Sequence, residues 1–341
     1  MKRFAATRLI TLTAAALALT ASALPLRAQE AKLTDVVLAN PAISLSFTAS
    51  YLAEDLGIFA KHGLRVKQIE LPGPGAFNAV ISDSADFAQP SAITLTRAAA
   101  KGQRLLAIAE TSNRPIIQIA LRKEIADAAG FDPKMTFNQR AALLRGRTIA
   151  VDAAGSLIHA YALLTAHRGG IPADDLHVAF MQPPSMVAAF KTKQIDGYAM
   201  SPPWPLIPIV AGEAVLLVSG PEGEPADLLP LANNIVVVKP ETCQKRRELC
   251  VAMGASFKEA EAFIQDHPDE AFATVKKRFA TIDDKVLTAA FDAIRKISPN
   301  PPVILAKGLE NAELFNVDAG LMKPEDKLTS YDGLFTDEFV K

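Results

Sequence analysis

The sequence predicts an α/β protein built from two similar lobes. Three observations carry this reading. Apolar runs of strand length alternate with runs of helical periodicity from residue 35 to residue 220. The order of elements then repeats at an offset of about 110 residues, placing Tyr51 on Tyr161, Gly75 on Ser185, Ala79 on Ala189, Asp86 on Asp196 and Ser91 on Ser201. Two further strand-like segments, "IIQIALRKE" (116–124) and "NNIVVVKPE" (233–241), lie where the chain must leave one block and return to it.

In the first block, "DVVLAN" (35–40) reads as a buried strand. "FTASYLAEDLGIFAKHG" (47–63) reads as one amphipathic helix that Gly63 ends. The strand "LRVKQIEL", the helix "AFNAVISDS", the short strand "ADFAQPS", the helix "AITLTRAAAKG" and the strand "RLLAIAET" (104–111) follow. Strands joined through helices call for a parallel sheet. A polar, irregular connection after residue 124 leads to the second block. There, strands "RTIAVD", "LHVAFMQ", "IDGYAMSP" and "AVLLVSG" alternate with helices "LIHAYALLTAHRGG", "MVAAFKTKQ" and "WPLIPIVAGE". The segments 116–124 and 233–241 read as crossovers between lobes. Helices are expected over 243–265, in "HPDEAFATVKKRF" and in "DDKVLTAAFDAIRKI", and the tail "TSYDGLFTDEFVK" offers a short amphipathic piece. The expected organisation is a leader over 1–28, the first part of lobe 1 over 29–120, lobe 2 over 121–235, and a return to lobe 1 with C-terminal helices over 236–341.

The leader is a secretory signal. Lys2, Arg3 and Arg8 precede the apolar run "LITLTAAALALTASAL" (9–24), and Leu26 and Ala28 suit cleavage after Ala28. A membrane anchor would need about 20 apolar residues, and this run is shorter. The alanine-rich composition and the style of the leader point to a bacterial periplasm. Four of the 36 basic residues and none of the 37 acids lie in the leader, so 32 bases against 37 acids leave the exported chain at −5. A mildly acidic surface argues against nucleic acid or anionic lipid as partner.

The two cysteines, Cys243 and Cys250, stand seven apart in "ETCQKRRELCVAM". Oxidising compartments favour pairing. Within one straight helix that spacing spans about 10.5 Å of rise, too far for a bridge. A disulfide therefore needs Cys243 in a turn before the helix, with Thr242 as a cap; the alternative is two buried thiols. Without neighbouring histidines the pair makes no zinc site.

No nucleophile elbow, His-Glu-x-x-His or Gly-Lys-Ser/Thr motif occurs, and the five histidines are scattered. "PGPGAF" has the context of a dinucleotide fingerprint but carries Asn78 at the third glycine position and lacks the ribose-binding acid. No cofactor or metal is expected. Gly73 and Gly75 can let backbone N–H groups approach a ligand at a helix start, or can simply make a tight turn. The other strand-end loops offer Ser46 and Phe47, Gln89 and Ser91, Thr111 and Asn113, Gly155 and Ser156, Ser185, and Ser201 with Trp204. Parallel sheets place ligands beyond the carboxyl ends of their strands, so two facing lobes would gather these loops around one cleft. Asp152, at a strand end, suits either an amine or the cap of the next helix.

The order of "DLGIFAKHGL", "SDSADFA", "AKGQRLLAIA", "LRGRTIAVDAAGS" and "KTKQIDGYAMSPP" resembles the periplasmic solute-binding proteins of the sulfonate, nitrate and thiamine-pyrimidine group (SsuA/THI5, NMT1-like), over roughly residues 34–240. The resemblance implies a type II periplasmic binding fold, two α/β lobes joined by two crossover strands. It implies closure over a small molecule by hinge motion and delivery to an ABC permease and its ATPase; the helix starts at the strand-end loops favour an anionic group on that molecule and the aromatics an apolar part, and the chain is expected to be a monomer. Some members of the fold are enzymes of the thiamine-pyrimidine-synthase-like branch; those use a cysteine cluster that this chain lacks. Export is directly measurable: intact mass of the secreted chain should begin at Gln29, and a mass that retains the leader would refute cleavage after Ala28.

Overall fold

A computed structural model describes residues 33–172 and 175–341. The leader expected over 1–28 lies outside these residues. Ten strands form two five-stranded sheets. The first contains β1 (Thr34–Asn40), β2 (Leu64–Glu70), β3 (Phe87–Ala88), β4 (Leu106–Ser112) and β10 (Asn234–Val238), in the spatial order β2-β1-β3-β10-β4. The second contains β5 (Gln118–Arg122), β6 (Thr148–Val151), β7 (His177–Phe180), β8 (Gly197–Met200) and β9 (Ala214–Ser219), in the order β7-β6-β8-β5-β9. The two orders are the same pattern, and the fold is the type II two-lobe arrangement.

Each sheet is mixed rather than parallel. β1 runs parallel to β2 and β3, but β10 pairs antiparallel with both β3 and β4. Likewise β5 is antiparallel to β8 and β9. The segments read as crossovers are therefore ladder strands inside the sheets. The chain crosses just before each of them, through 113–117 and again through 220–233. An apolar run announces a buried strand but carries no direction, which is why the antiparallel strand escapes a pattern reading.

The repeat at 110 residues has a physical basis. Asp86 accepts a hydrogen bond from the Val37 amide at 2.8 Å, and its own amide donates to Val37 O at 3.0 Å. Asp196 makes the same reciprocal pair with Thr148, at 2.8 and 2.9 Å. Both aspartates lock the start of a third strand to the first. Asp83 and Lys193, again 110 apart, both adopt φ 60° in the turn before those strands.

The segment 47–63 is not one helix. A 3-10 turn, Leu45–Phe47, leads into the helix Thr48–Asp55, which stops at Gly57 with φ 71°; a second short helix, Ile58–Lys61, follows. The left-handed backbone at Gly57 is cheap for glycine and breaks the helix. Two short helices, Lys123–Ala128 and Phe137–Ala141, occupy the connection expected to be irregular, the second closed by a Thr136/Gln139 capping box. The tail forms no helix; Phe335 instead bridges Ala107 of β4.

The C-terminal helices Arg247–Asp266, Pro268–Lys276 and Asp284–Arg295 match the expected apolar periodicity. The first packs on Thr48–Asp55 and β4. Arg278, after the second, holds both Glu54 and Asp55 at 2.6–2.7 Å. A further helix, Ala306–Asp318, packs on both Ala92–Ala100 and Leu157–Arg168, so this third of the chain touches both lobes. Cys243 and Cys250 are joined, with Cα atoms 5.6 Å apart. Cys243 lies not in a turn but in a separate helix, Pro240–Lys245. Arg246, at φ −133° and ψ 57°, breaks the path, and no side chain caps the next helix.

Under Arg247–Asp266 lies a sealed carboxyl. Glu261 is 1 % exposed, and its oxygens have no hydrogen-bond partner among the described residues. Burial pushes it well above the ordinary carboxylate range; Ser298 pulls part of this back, and Glu110 of β4, itself raised by burial and then by Asp337, adds a smaller push upward. The folded chain therefore binds more protons than the unfolded chain above the ordinary glutamate value of about 4.3. This contribution is fully present below that value and is lost as pH rises. Glu261→Gln should gain on the wild type by up to about 1.4 kcal/mol per pH unit through that window, read from thermal melts between pH 5 and 8. Parallel melting curves would rule this out.

Candidate functional site

Both sheets aim the carboxyl ends of their parallel strands at one place. The loop after β1 leads through Pro41 and Ala42 to Ser46 and Phe47. The turn after β2 contributes Gly73, and the segment after β3 contributes Pro90 and Ser91. From the other lobe come Asp152, Ser156, Leu157 and Ile158 after β6, and Met200 and Ser201 at the end of β8. Together with Thr94, and with Ile116 and Asn234 beside the two crossings, these line one cavity between the lobes.

Two helix starts face this space. Ser91 caps Ala92–Ala100, its hydroxyl accepting from the Thr94 amide at 3.2 Å. Ser156 caps Leu157–Arg168, accepting from the His159 amide at 3.0 Å. Each cap satisfies an amide that the helix leaves free, worth about 1 kcal/mol.

The lobes touch around the cavity. Ser44 Oγ lies 2.7 Å from Ser201 Oγ and donates to Pro202 O, and the Leu45 amide donates to the same carbonyl at 3.1 Å. The Trp204 indole N–H donates to Ile43 O at 2.9 Å. Arg97 reaches across to Gly155 O. Gly73 has φ 59°, and a Cβ there would stand 2.9 Å from the Ala153 Cβ. A side chain would thus meet both a strained backbone and the other lobe. The cavity left between the lobes measures about 40 Å³, room for a few waters. A drug-sized pocket runs to about 300 Å³ or more, so a larger occupant requires the lobes further apart.

Six of the thirteen residues singled out as ligand-binding line the cavity: Ser46, Phe47, Gly73, Ser91, Ser156 and Ser201. Seven do not. Gly75 starts the helix Gly75–Ile81 behind the turn. Gln89 is buried, donating to Asn40 Oδ1 at 2.7 Å and Ser50 Oγ at 2.9 Å, inside lobe 1. Thr111 is buried with its hydroxyl unpaired, and the Asn113 Oδ1 is likewise unpaired. Gly155 spends its carbonyl on Arg97 and its amide on His159 Nδ1. Ser185 is exposed in the helix Pro183–Lys191. Trp204 sits at the rim and faces an outer groove with Ile207 and Val286. The residues missed were Pro41, Ala42, Pro90, Thr94, Ile116, Leu157, Ile158, Met200 and Asn234. Proline and aliphatic side chains carry no chemical signal in a sequence, and Ile116 and Asn234 come from segments read as crossover strands between the lobes.

Asp152 carries the only charge in the lining. Its Oδ1 accepts from the Ala153 amide at 2.8 Å and from the Ser156 hydroxyl. Burial raises its carboxyl above the ordinary range, while those hydrogen bonds hold back part of the rise. Nearby, burial and then Arg97 push His159 down, so it accepts at Nδ1 as a neutral ring.

The contact at Gly73 is testable. Gly73→Val should cost about 1–2 kcal/mol through the left-handed backbone alone and shift the chain toward a more open form, seen as a larger radius of gyration in solution scattering. A scattering curve superimposable on that of the wild type would mean the lobes do not meet there.

Solved structures share this architecture. A protein from Bordetella bronchiseptica RB50 superposes with TM-score 0.76 at 20 % identity, over 91 % of this chain and 96 % of its own. The alkanesulfonate-binding protein SsuA from Xanthomonas axonopodis pv. citri, bound to MOPS, gives 0.69 at 18 %, over 90 % and 99 %. The periplasmic nitrate-binding protein NrtA from Synechocystis PCC 6803 gives 0.62 at 14 %, over 86 % and 83 %. Among curated protein sequences none matches this one. Residues 44–271 match the profile of the family described as NMT1/THI5 like. That stretch is two thirds of the sequence and includes both halves of the cleft, and the chain accordingly belongs to the NMT1/THI5-like family.

Proposed function

We propose that this chain is the solute-binding component of an ABC importer. It works as a monomer in the periplasm after loss of its leader, captures a small organic molecule between its lobes, and hands it to a permease and ATPase. The observation that carries this reading is the cavity lined from both lobes, with the chain crossing between them twice. Such a site suits a ligand that settles on one lobe and favours the closed population. The solved SsuA and NrtA proteins, which share the fold, add support as binding proteins for alkanesulfonate and nitrate. Delivery rather than conversion fits a lining of serine hydroxyls and aliphatic side chains with a single carboxylate, the nearby His159 being held on the Gly155 amide outside that lining.

Native mass spectrometry of the chain purified from an export host separates the readings. The expected result is a non-covalent adduct that denaturation releases unchanged, together with a compaction in scattering on rebinding. Conversion of the released molecule to a product would instead mark an enzyme.

A further inference from the structure

Ser156, not Asp152, caps Leu157–Arg168, and Asp152 raises a question that its hydrogen bonds within the loop do not answer. Oδ1 already accepts from the Ala153 amide and the Ser156 hydroxyl. An asparagine or serine could do as much without burying a charge. Asp152 is 7 % exposed and lines the cavity; its own amide adds a further hydrogen bond to the carboxyl, but among the described residues no side chain donates to Oδ2. No lysine, arginine or histidine forms an ion pair with it. The nearest basic groups are otherwise engaged: Arg97 on Gly155 O, and neutral His159 on the Gly155 amide. Leaving a buried carboxylate unpaired is costly: such a group either holds its proton, as the sealed Glu261 does, or is met by a cation or a strong donor, which the cavity can admit to Asp152.

The rest of the lining sharpens this. No lysine or arginine faces the cavity, so an anion entering it would meet the Asp152 carboxylate without compensation. That runs against the anionic ligand expected from helix starts alone. Those starts are also partly spent, since Ser91 and Ser156 each occupy an amide of their own helix. Lobe 1 lines the same cavity with Phe47, Ser46 and Asn234, a mixture of aromatic and polar residues that suits a polar head with an apolar neighbour. The charge sits on lobe 2 alone; the lobe 1 loop at the equivalent place, Pro41–Ala42, has none.

From this geometry we infer that the cleft selects a ligand with a positively charged nitrogen head, an amine or amidinium, whose N–H groups donate to Asp152 Oδ2. The inference rests on the binding-protein reading and refines it. The head docks on lobe 2 first, and closure of lobe 1 then removes the ion pair from water.

The test uses matched probes on the whole exported chain: propylamine, propanesulfonate and propionate, and benzamidine, benzenesulfonate and benzoate. Binding is read by calorimetry, with thermal melts as the check on folding. The cationic member of a series should bind and the anionic members should not. Asp152→Asn, which keeps an acceptor for Ala153 and Ser156, should weaken the cation about tenfold or more while leaving the melt close to wild type. Should Asp152→Asn fail to fold, the same selectivity in the wild type, lost as pH falls through the carboxyl's titration, serves instead. Binding of an anionic member alone overturns the charge assignment and leaves the binding-protein reading standing. Cation binding that Asp152→Asn does not alter, or no binding of either cation at millimolar concentration, also overturns it. Chemical conversion of a probe would defeat the binding-protein reading itself.

Discussion

The closed cleft depends on how near two backbones can come. The turn at Gly73 approaches the loop at Ala153 so closely that even a Cβ would intrude, and that turn also needs a left-handed φ. Glycine answers both demands at once. With this contact made, Ser44 reaches Ser201, Trp204 reaches Ile43 and Arg97 reaches Gly155. These are short-range, partly buried hydrogen bonds, each worth only about 1 kcal/mol, and none could form with the lobes a few ångströms apart. The small cavity is the outcome of the approach rather than a feature of either lobe.

Much of this was legible in the sequence, for identifiable reasons. Alternation of apolar runs placed most strands and most of the longer helices, because burial of one face is what those periods encode. The repeat was legible because two lobes with the same architecture need the same local devices: Asp86 and Asp196 each staple a third strand to a first, and a shared chemical task keeps a shared residue. The resemblance added the two-lobe fold. Direction was not legible. β5 and β10 read as apolar like their neighbours, and only the ladder shows them inserted antiparallel. The helix over 306–318 went unmarked because Gly308 interrupts its pattern; that glycine allows Ala232 of the second crossing to lie against the helix.

The cleft was legible as a set of loops and much less as a set of side chains. Of the residues chosen from the strand-end loops, six meet at the cavity. The misses follow from competition for hydrogen bonds. Gln89 stands in the right loop but is drawn inward by Asn40 and Ser50, buried polar groups that need partners. Trp204 is drawn to the rim by the carbonyl of Ile43. Asp152, left open between cap and ligand, is not the cap: Ser156 takes that place, and Asp152 holds the Ser156 hydroxyl and the Ala153 amide with one oxygen.

The insertion of β10 has a consequence for the birth of the molecule. Lobe 2 takes its five strands from one unbroken stretch, residues 118–219. Lobe 1 cannot complete its sheet until residue 238 has emerged, because β10 stands between β3 and β4. Until then the β3 and β4 edges face each other across a gap with their amides and carbonyls unpaired. A chain threaded out from its N-terminus therefore presents an unfinished first lobe beside a second whose sheet can already close. The part made first is the part completed last.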